Sequence, residues 1–184
     1  LQAAGLAFER RDSCDSRVAE AAGAVLFQTD GRSAAQRAAE SGIANLVLVD
    51  LALDYAQASR LAIVVARQAD AAASQAAIGL LQAAGFAVSL LRDVPGLPVM
   101  RTVAMLANEA ADAVNQGVCD AAAADAAMRL GVNYPRGPLA WADAVGVGQI
   151  RTVLAHLVVF YGEDRYRVSP LIQQAVFAGR SLHD

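Results

Sequence analysis

Groups able to do chemistry are few along these 184 residues, and they do not cluster. His156 and His183 are the two imidazoles. At neutral pH a general acid–base catalyst is most often a histidine, placed within reach of the proton it moves. His156 falls in a helix beside Leu157, with no acid or cysteine four residues on, and His183 is next to Asp184. Neither has the company a metal site needs, so no metal ligand is assigned. A hydrolytic triad would have to use one of these two histidines, and no G-x-S-x-G elbow presents a serine to it. Cys14 and Cys119 lie far apart and form no CxxC pair, which predicts two free thiols in a reducing compartment. Asn108–Glu109 and Glu163–Asp164 read as helix surface, solvated or paired with nearby arginines.

A phosphate cradle is also missing. Dinucleotide sites need three glycines so that the backbone can approach a pyrophosphate at a helix N-terminus. The turn after the first strand has only Gly31, followed by Arg32 and Ser33. Gly146-Val147-Gly148 is the one G-x-G, sits between helices and lacks a third glycine. A net charge of -3, with every basic residue an arginine, argues against a nucleic-acid partner. No apolar run approaches the ~18 residues of a membrane span. The start at Leu1 has neither Met nor the basic flank of a signal peptide. The expectation is a cytoplasmic protein, and a piece of a longer one.

The elements that must position these groups fall into two sets. Residues 24–28, 45–49, 61–66 and 86–91 are short apolar runs that read as strands. Ser33 and Asp70 cap the helices between them, which close at Gly42 and Gly85. Strands alternating with helices predict a parallel or mostly parallel sheet with helical cover. An amphipathic helix is expected around Ser16 to Ala22. Asp93-Val94-Pro95-Gly96-Leu97-Pro98 breaks the composition and reads as a hinge. Beyond it the strand signal disappears. Val99, Val103, Leu106, Ala110 and Val114 fall on one face of a long helix ended by Gly117. Asp120 caps a helix ended by Gly131, Pro138 opens another that stops near Gly146, and Ile150, Val153, Leu154, Leu157 and Tyr161 mark the stripe of a fourth, ended by Gly162. Ser169 and Pro170 begin the last, closed by Gly179.

The turn from Arg129 to Asp143 carries the most information. Gly131 is expected to close one helix in the left-handed conformation. Pro135 holds Tyr134 extended, Gly137 lets the chain turn, and Pro138 suits a first helical turn because its missing N–H costs nothing there. Trp141 just beyond is a packing anchor.

These residues carry a resemblance. Asp93-Val94-Pro95-Gly96-Leu97-Pro98-Val99-Met100-Arg101, Asn108-Glu109-Ala110, Asp125 to Gly131 and Tyr134-Pro135-Arg136-Gly137-Pro138-Leu139 follow one another, over about ninety residues, as in the C-terminal domain of the L-3-hydroxyacyl-CoA dehydrogenases. The first half is similar to the reduced Rossmann-like segment that precedes a second such domain in long tandem bacterial members, the 3-hydroxybutyryl-CoA and phenylacetate-pathway 3-hydroxyadipyl-CoA dehydrogenases. The fold expected from the resemblance is a reduced Rossmann-like α/β unit (residues 1–94) followed by an all-α helical dimerisation domain (residues 95–184).

The resemblance implies NAD-dependent oxidation of a 3-hydroxyacyl-CoA to the 3-ketoacyl-CoA in the parent protein, as in fatty acid metabolism. In the family a histidine–glutamate pair takes the hydroxyl proton, and an asparagine at the start of the helical domain assists. Here Met100 stands where that asparagine would precede Arg101, and a thioether cannot replace an amide donor. The histidine would fall near Leu51 and the glutamate near Ile63, neither ionisable. No catalytic, cofactor-binding or metal residue is therefore assigned to this chain, and NAD is expected in the parent only. Arg101, Tyr134, Pro135, Gly137, Pro138 and Trp141 are assigned to turn geometry or interface. The implied partners are the N-terminal catalytic half of the same protein or a second copy, with acyl-CoA as substrate of the parent. The chain's expected role is pseudo-dimer assembly and closure of the acyl-CoA site. The alternative is a stand-alone acyl-CoA-binding or scaffold module without redox chemistry. A competent enzyme would need His156 as base.

Overall fold

The structure, a computed structural model, describes residues 16–52 and 54–184. It divides into two compact units, one ending at Val99 and one spanning Met100–Asp184.

The first unit is built on a five-stranded sheet: β1 (Arg17–Ala21), β2 (Ala24–Gln28), β3 (Leu46–Val49), β4 (Arg60–Val65) and β5 (Ala87–Leu90), in that spatial order. Helix α1 (Ala34–Ser41) links β2 to β3, and α2 (Ala71–Ala83) links β4 to β5. The sheet is mixed, which corrects the expectation of a mostly parallel one. β2 and β3 are parallel, as are β4 and β5, but β3 and β4 run antiparallel and β1 forms a hairpin with β2. Apolar runs report burial on both faces; they carry no information about strand direction. Alternation sorts the core into two layers. Leu26, Val47, Val49, Leu61 and Ile63 pack with Ala73, Ala77 and Leu81 of α2. Val25, Phe27, Leu46, Leu48 and Val64 pack with Ala34 and Ala38 of α1.

Residues 17–21 form strand β1, where a helix was expected. Ala22 and Gly23 have φ of 45° and 83° and join Ala21 to its partner Ala24. Two positive φ values in a two-residue loop are the pattern of a type I′ hairpin turn, whose twist matches the strands. Alanine-rich composition favours helix locally, but pairing with β2 overrides it.

The segment read as a hinge lies just before the boundary between the units and contains a tight turn in which Pro95, Gly96 and Leu97 are buried. Leu97 N–H donates to Val94 O at 3.2 Å, with Pro95 and Gly96 (φ 80°) in the central positions, as a type II turn requires. Leu97 is fully buried in the α1-side layer despite its own φ of 54°.

The second unit is helical: α3 (Pro98–Asn115, whose first two residues belong to the first unit), α4 (Ala121–Gly131), α5 (Pro138–Val145), α6 (Val147–Tyr161) and α7 (Pro170–Ala178), with a short 3-10 turn at Asp164–Tyr166. Among the described residues no single helix is long and apolar enough to cross a membrane. The buried stripe of α3 is Met100, Val103, Ala104, Ala107, Asn108 and Ala111. It is rotated from the expected one; Val99 is exposed and Asn108 is inside. Ile150, Val153, Leu154 and Leu157 are all fully buried on α6. α5 and α6 meet at 99° across Gly146, whose φ is 106°.

The turn between α4 and α5 works differently from its sequence reading. Gly131 remains helical, and Asn133 takes the left-handed conformation at φ 58°. Asparagine tolerates that region. Gly137 has φ -66°, open to any residue, so its role is not a sharp bend. It is needed because a Cβ there would lie 2.1 Å from Asp125 Cγ. Asp125 accepts hydrogen bonds from Leu139 N (2.8 Å) and Ala140 N (2.9 Å), so a carboxylate on α4 caps α5 across the turn.

Two variants test these local readings. Ala22→Asn should raise stability by about 0.5–1 kcal/mol, since asparagine accepts positive φ more readily, read as a higher urea midpoint at unchanged m-value. Gly137→Ala should lower it by about 3 kcal/mol, the upper end for overpacking. An unchanged thermal midpoint for that variant would contradict the close approach of Asp125.

Candidate functional site

Strand direction decides where a site could form in the first unit. In open α/β sheets ligands collect outside the carboxyl ends of the strands, where strand order reverses. Here the order follows the sequence without reversal, and β2 and β3 end on the edge opposite to β4 and β5. The N-termini of α1 and α2 therefore do not converge.

Each of those N-termini already holds a carboxylate. Asp93 accepts from Ala34 N at 2.7 Å and Ala35 N at 2.9 Å, while Ser33 Oγ accepts from Gln36 N at 3.1 Å. Asp70 accepts from Ala73 N at 2.6 Å and from Asn45 Nδ2 at 3.2 Å. The backbone hydrogen bond from Ala73, with the side-chain one from Asn45, holds the Asp70 carboxyl below its usual range. The N–H groups of Ala34, Ala35 and Gln36 at the start of α1, and that of Ala73 at the start of α2, are thus engaged by the chain's own side chains.

The turn before α1 is charged instead of glycine-rich. Arg32 Nε donates to Asp30 Oδ2 at 3.1 Å and Nη1 to Glu40 Oε2 at 2.6 Å. Buried Arg37 donates to Gln28 O at 2.8 Å and lies over the Phe27 ring at 4.2 Å. Burial pushes the Asp30 pKa up, but the Arg32 hydrogen bond and the Arg37 charge outweigh it, and the net shift is downward. Asp30 stays ionised beside a phosphate's natural docking place.

Leu51 and Ile63, the positions that the resemblance set near the family's proton-transfer pair, are apolar and buried. Leu51 is 7% exposed and Ile63 fully buried. Asp50, one residue before Leu51, is buried but committed to structure: it accepts from Leu51 N at 2.8 Å and from Val99 N, in the first turn of α3, at 2.8 Å. Tyr55 donates to Asp50 O at 2.9 Å, and burial pushes its phenol pKa up.

In the helical unit Met100 is fully buried. Arg101, next to it, lies over the rings of Tyr161 (4.9 Å) and Tyr166 (5.3 Å) and donates to both hydroxyls. Tyr134 is half-buried, Pro135 exposed, Gly137 and Pro138 buried, and Trp141 half-buried. The structure sets Gly137 against Asp125, with Pro138 buried beside it in the chain, and leaves Arg101 in a separate tyrosine cluster. His156 is half-buried on α6. Cys119 is a free thiol, and Cys14 lies outside the described residues. No group of three or more metal-ligating side chains occurs among the described residues.

Sequence reasoning missed three polar residues that organise this unit. Asn108, read as surface, is buried; its Nδ2 donates to Arg167 O and its Oδ1 accepts from Ser169 N, both at 2.8 Å. Asp125 caps α5. Asp143 accepts from Leu182 N at 2.8 Å and faces the ring of His183. One signal was available. Glycine at the N-cap of α5 offers no side-chain acceptor, so an acceptor had to come from elsewhere in the chain.

Comparison with known proteins gives a consistent assignment. A model of the 3-hydroxybutyryl-CoA dehydrogenase reduced Rossmann-fold domain matches residues 26–95, and one of the 3-hydroxyacyl-CoA dehydrogenase C-terminal domain matches residues 96–182. A 3-hydroxyadipyl-CoA dehydrogenase of Escherichia coli K12 is 48% identical over 102 residues, 55% of this chain and 22% of that protein. A probable 3-hydroxybutyryl-CoA dehydrogenase of Bacillus subtilis is 37% identical over 89 residues, 48% of this chain and 31% of its own. The crystal structure of 3-hydroxybutyryl-CoA dehydrogenase from Escherichia coli K12 shares 36% identity at a TM-score of 0.83, covering 91% of this chain and 34% of that one. The chain spans well under half the length of these relatives. It belongs to the 3-hydroxyacyl-CoA dehydrogenase family, as a reduced Rossmann-fold domain followed by that family's C-terminal helical domain.

Proposed function

We propose that this chain is the scaffold part of an NAD-dependent L-3-hydroxyacyl-CoA dehydrogenase and does not itself transfer hydride. Its helical unit completes a pseudo-dimer with the catalytic half of the same protein, or pairs with a second copy, and helps close the acyl-CoA site. Arg101, Tyr134, Pro135, Gly137, Pro138 and Trp141 serve that packing surface and its turn. NAD belongs to the catalytic half. The observation that carries this reading is the stoppering of both helix N-termini in the α/β unit by Asp93 and Asp70. A dinucleotide phosphate arriving there would meet a carboxylate in place of free N–H groups. Buried apolar side chains at the positions of the proton-transfer pair, and Met100 at that of the assisting asparagine, support the same conclusion.

Titrating the chain with NADH, followed by nicotinamide fluorescence, should show no saturation up to about 1 mM, the upper end of ordinary substrate affinities. Micromolar binding would overturn the proposal. Met100→Asn should not create turnover, because no base accompanies the amide. It should cost about 1–3 kcal/mol through burial of an unpaired polar group, read from the thermal midpoint. Dehydrogenase activity in that variant would show that the chain holds a base elsewhere.

A further inference from the structure

The segment after α7 is fastened by one imidazole placed between two carboxylates. His183 Nδ1 lies 2.7 Å from Asp143 Oδ2 on α5, and Nε2 lies 3.2 Å from Asp125 Oδ2 on α4. The same two carboxylates carry backbone hydrogen bonds: Asp125 from the first turn of α5, and Asp143 from Leu182 N. Leu182 is buried at 6% exposure. Ser181 N donates to Asp184 Oδ2 at 3.1 Å, and Arg180 N donates to Ala175 O at 3.0 Å, joining the segment to the end of α7.

A neutral imidazole has one N–H donor and one lone pair. Whichever tautomer it adopts, one nitrogen would present a lone pair to a carboxylate oxygen. Only the doubly protonated ring can donate to both. Among the described residues, the charged groups facing it are Asp125 from α4, Asp143 from α5 and Asp184 from its own segment, with Arg180 acting on Asp184. All three direct neighbours are acids.

We propose that residues 180–184 form a proton-latched strap, held against α4 and α5 while His183 is protonated and released when the ring loses its proton. The strap is one wall of a depression of about 390 Å³ lined also by Asp143, by Val147 and Gly148 at the start of α6, and by Ala175 of α7. Release uncovers the niche of Leu182 and opens that depression. The direction of the pH effect follows from the ring's environment. The Asp143 hydrogen bond and the charges of Asp125 and Asp143 raise the His183 pKa, and partial burial opposes them without cancelling them. A group whose pKa is raised in the folded state contributes its full stability below the unfolded value, about 6.5 for histidine. That contribution disappears as pH rises through the higher folded value.

The test is hydrogen exchange at the Leu182 amide in the whole chain, expressed as protection relative to an unstructured peptide so that base catalysis is removed. The His183 ring nitrogens are titrated in parallel by NMR. Protection should fall at least tenfold as the ring deprotonates, at the same midpoint. His183→Gln, which keeps a single amide donor, should give weak protection that no longer follows that midpoint. Unchanged protection of Leu182 across the ring titration would overturn the proposal. So would a neutral ring in a strap that remains protected, or a pH response that persists in His183→Gln.

Discussion

The structure depends on side-chain oxygens that reach helix N-termini from distant parts of the chain. The first backbone N–H groups of a helix have no partner inside it. In this protein several are met across the fold. Asp93 serves α1 from 59 residues away, Asp50 serves α3 from 49, and Asp125 serves α5 across a tight turn. Each bond satisfies backbone donors, and those of Asp93 and Asp125 also fix where one element begins relative to another within a single unit. Gly137 shows how tight the constraint is. The cap holds only because the glycine leaves space for the carboxylate.

The same device underlies the scaffold role proposed for the α/β unit. A helix N-terminus is one of the few places where a protein backbone offers several aligned donors and a favourable dipole to an anion. In this unit Asp93 and Asp70 occupy donors of that kind, and the bonds stabilise the starts of α1 and α2. The reversal between β3 and β4 sends the two βα ends to opposite edges of the sheet. The family relationship and this arrangement together describe a domain that retains the packing of an oxidoreductase around a core of Leu, Val and Ile. The helical unit follows the same logic with different partners. Asn108 latches the segment before α7, and the Arg101 guanidinium joins the two tyrosines that close α6 and the 3-10 turn.

Much of the element plan was legible in the sequence. Ser33, Asp70 and Asp120 cap their helices as read, each accepting from the N–H three residues on. Gly42, Gly162 and Gly179 close helices in the left-handed conformation. These signals are legible because a cap is a contact between residues three or four apart, which local sequence contains. The hairpin strand at 17–21 was not legible, since an alanine-rich segment favours helix until a neighbouring strand offers it hydrogen bonds. The inward turn of Asn108 was missed for a related reason. Its partners, Arg167 and Ser169, lie about sixty residues away, and an amide beside a glutamate looks like surface until they arrive.

The sequence by itself determined the two-part order of elements, the helix ends, the apolar faces of the strands and the lack of a glycine-rich phosphate loop. All of these depend on residue type and short spacing. Tertiary structure alone decided the strand directions, the left-handed residue at Asn133 in place of Gly131, and the pairing of each remote oxygen with its helix. The physical reason is that a hydrogen bond spanning tens of residues is set by the geometry of the closed chain, and neither partner carries a local mark of the other.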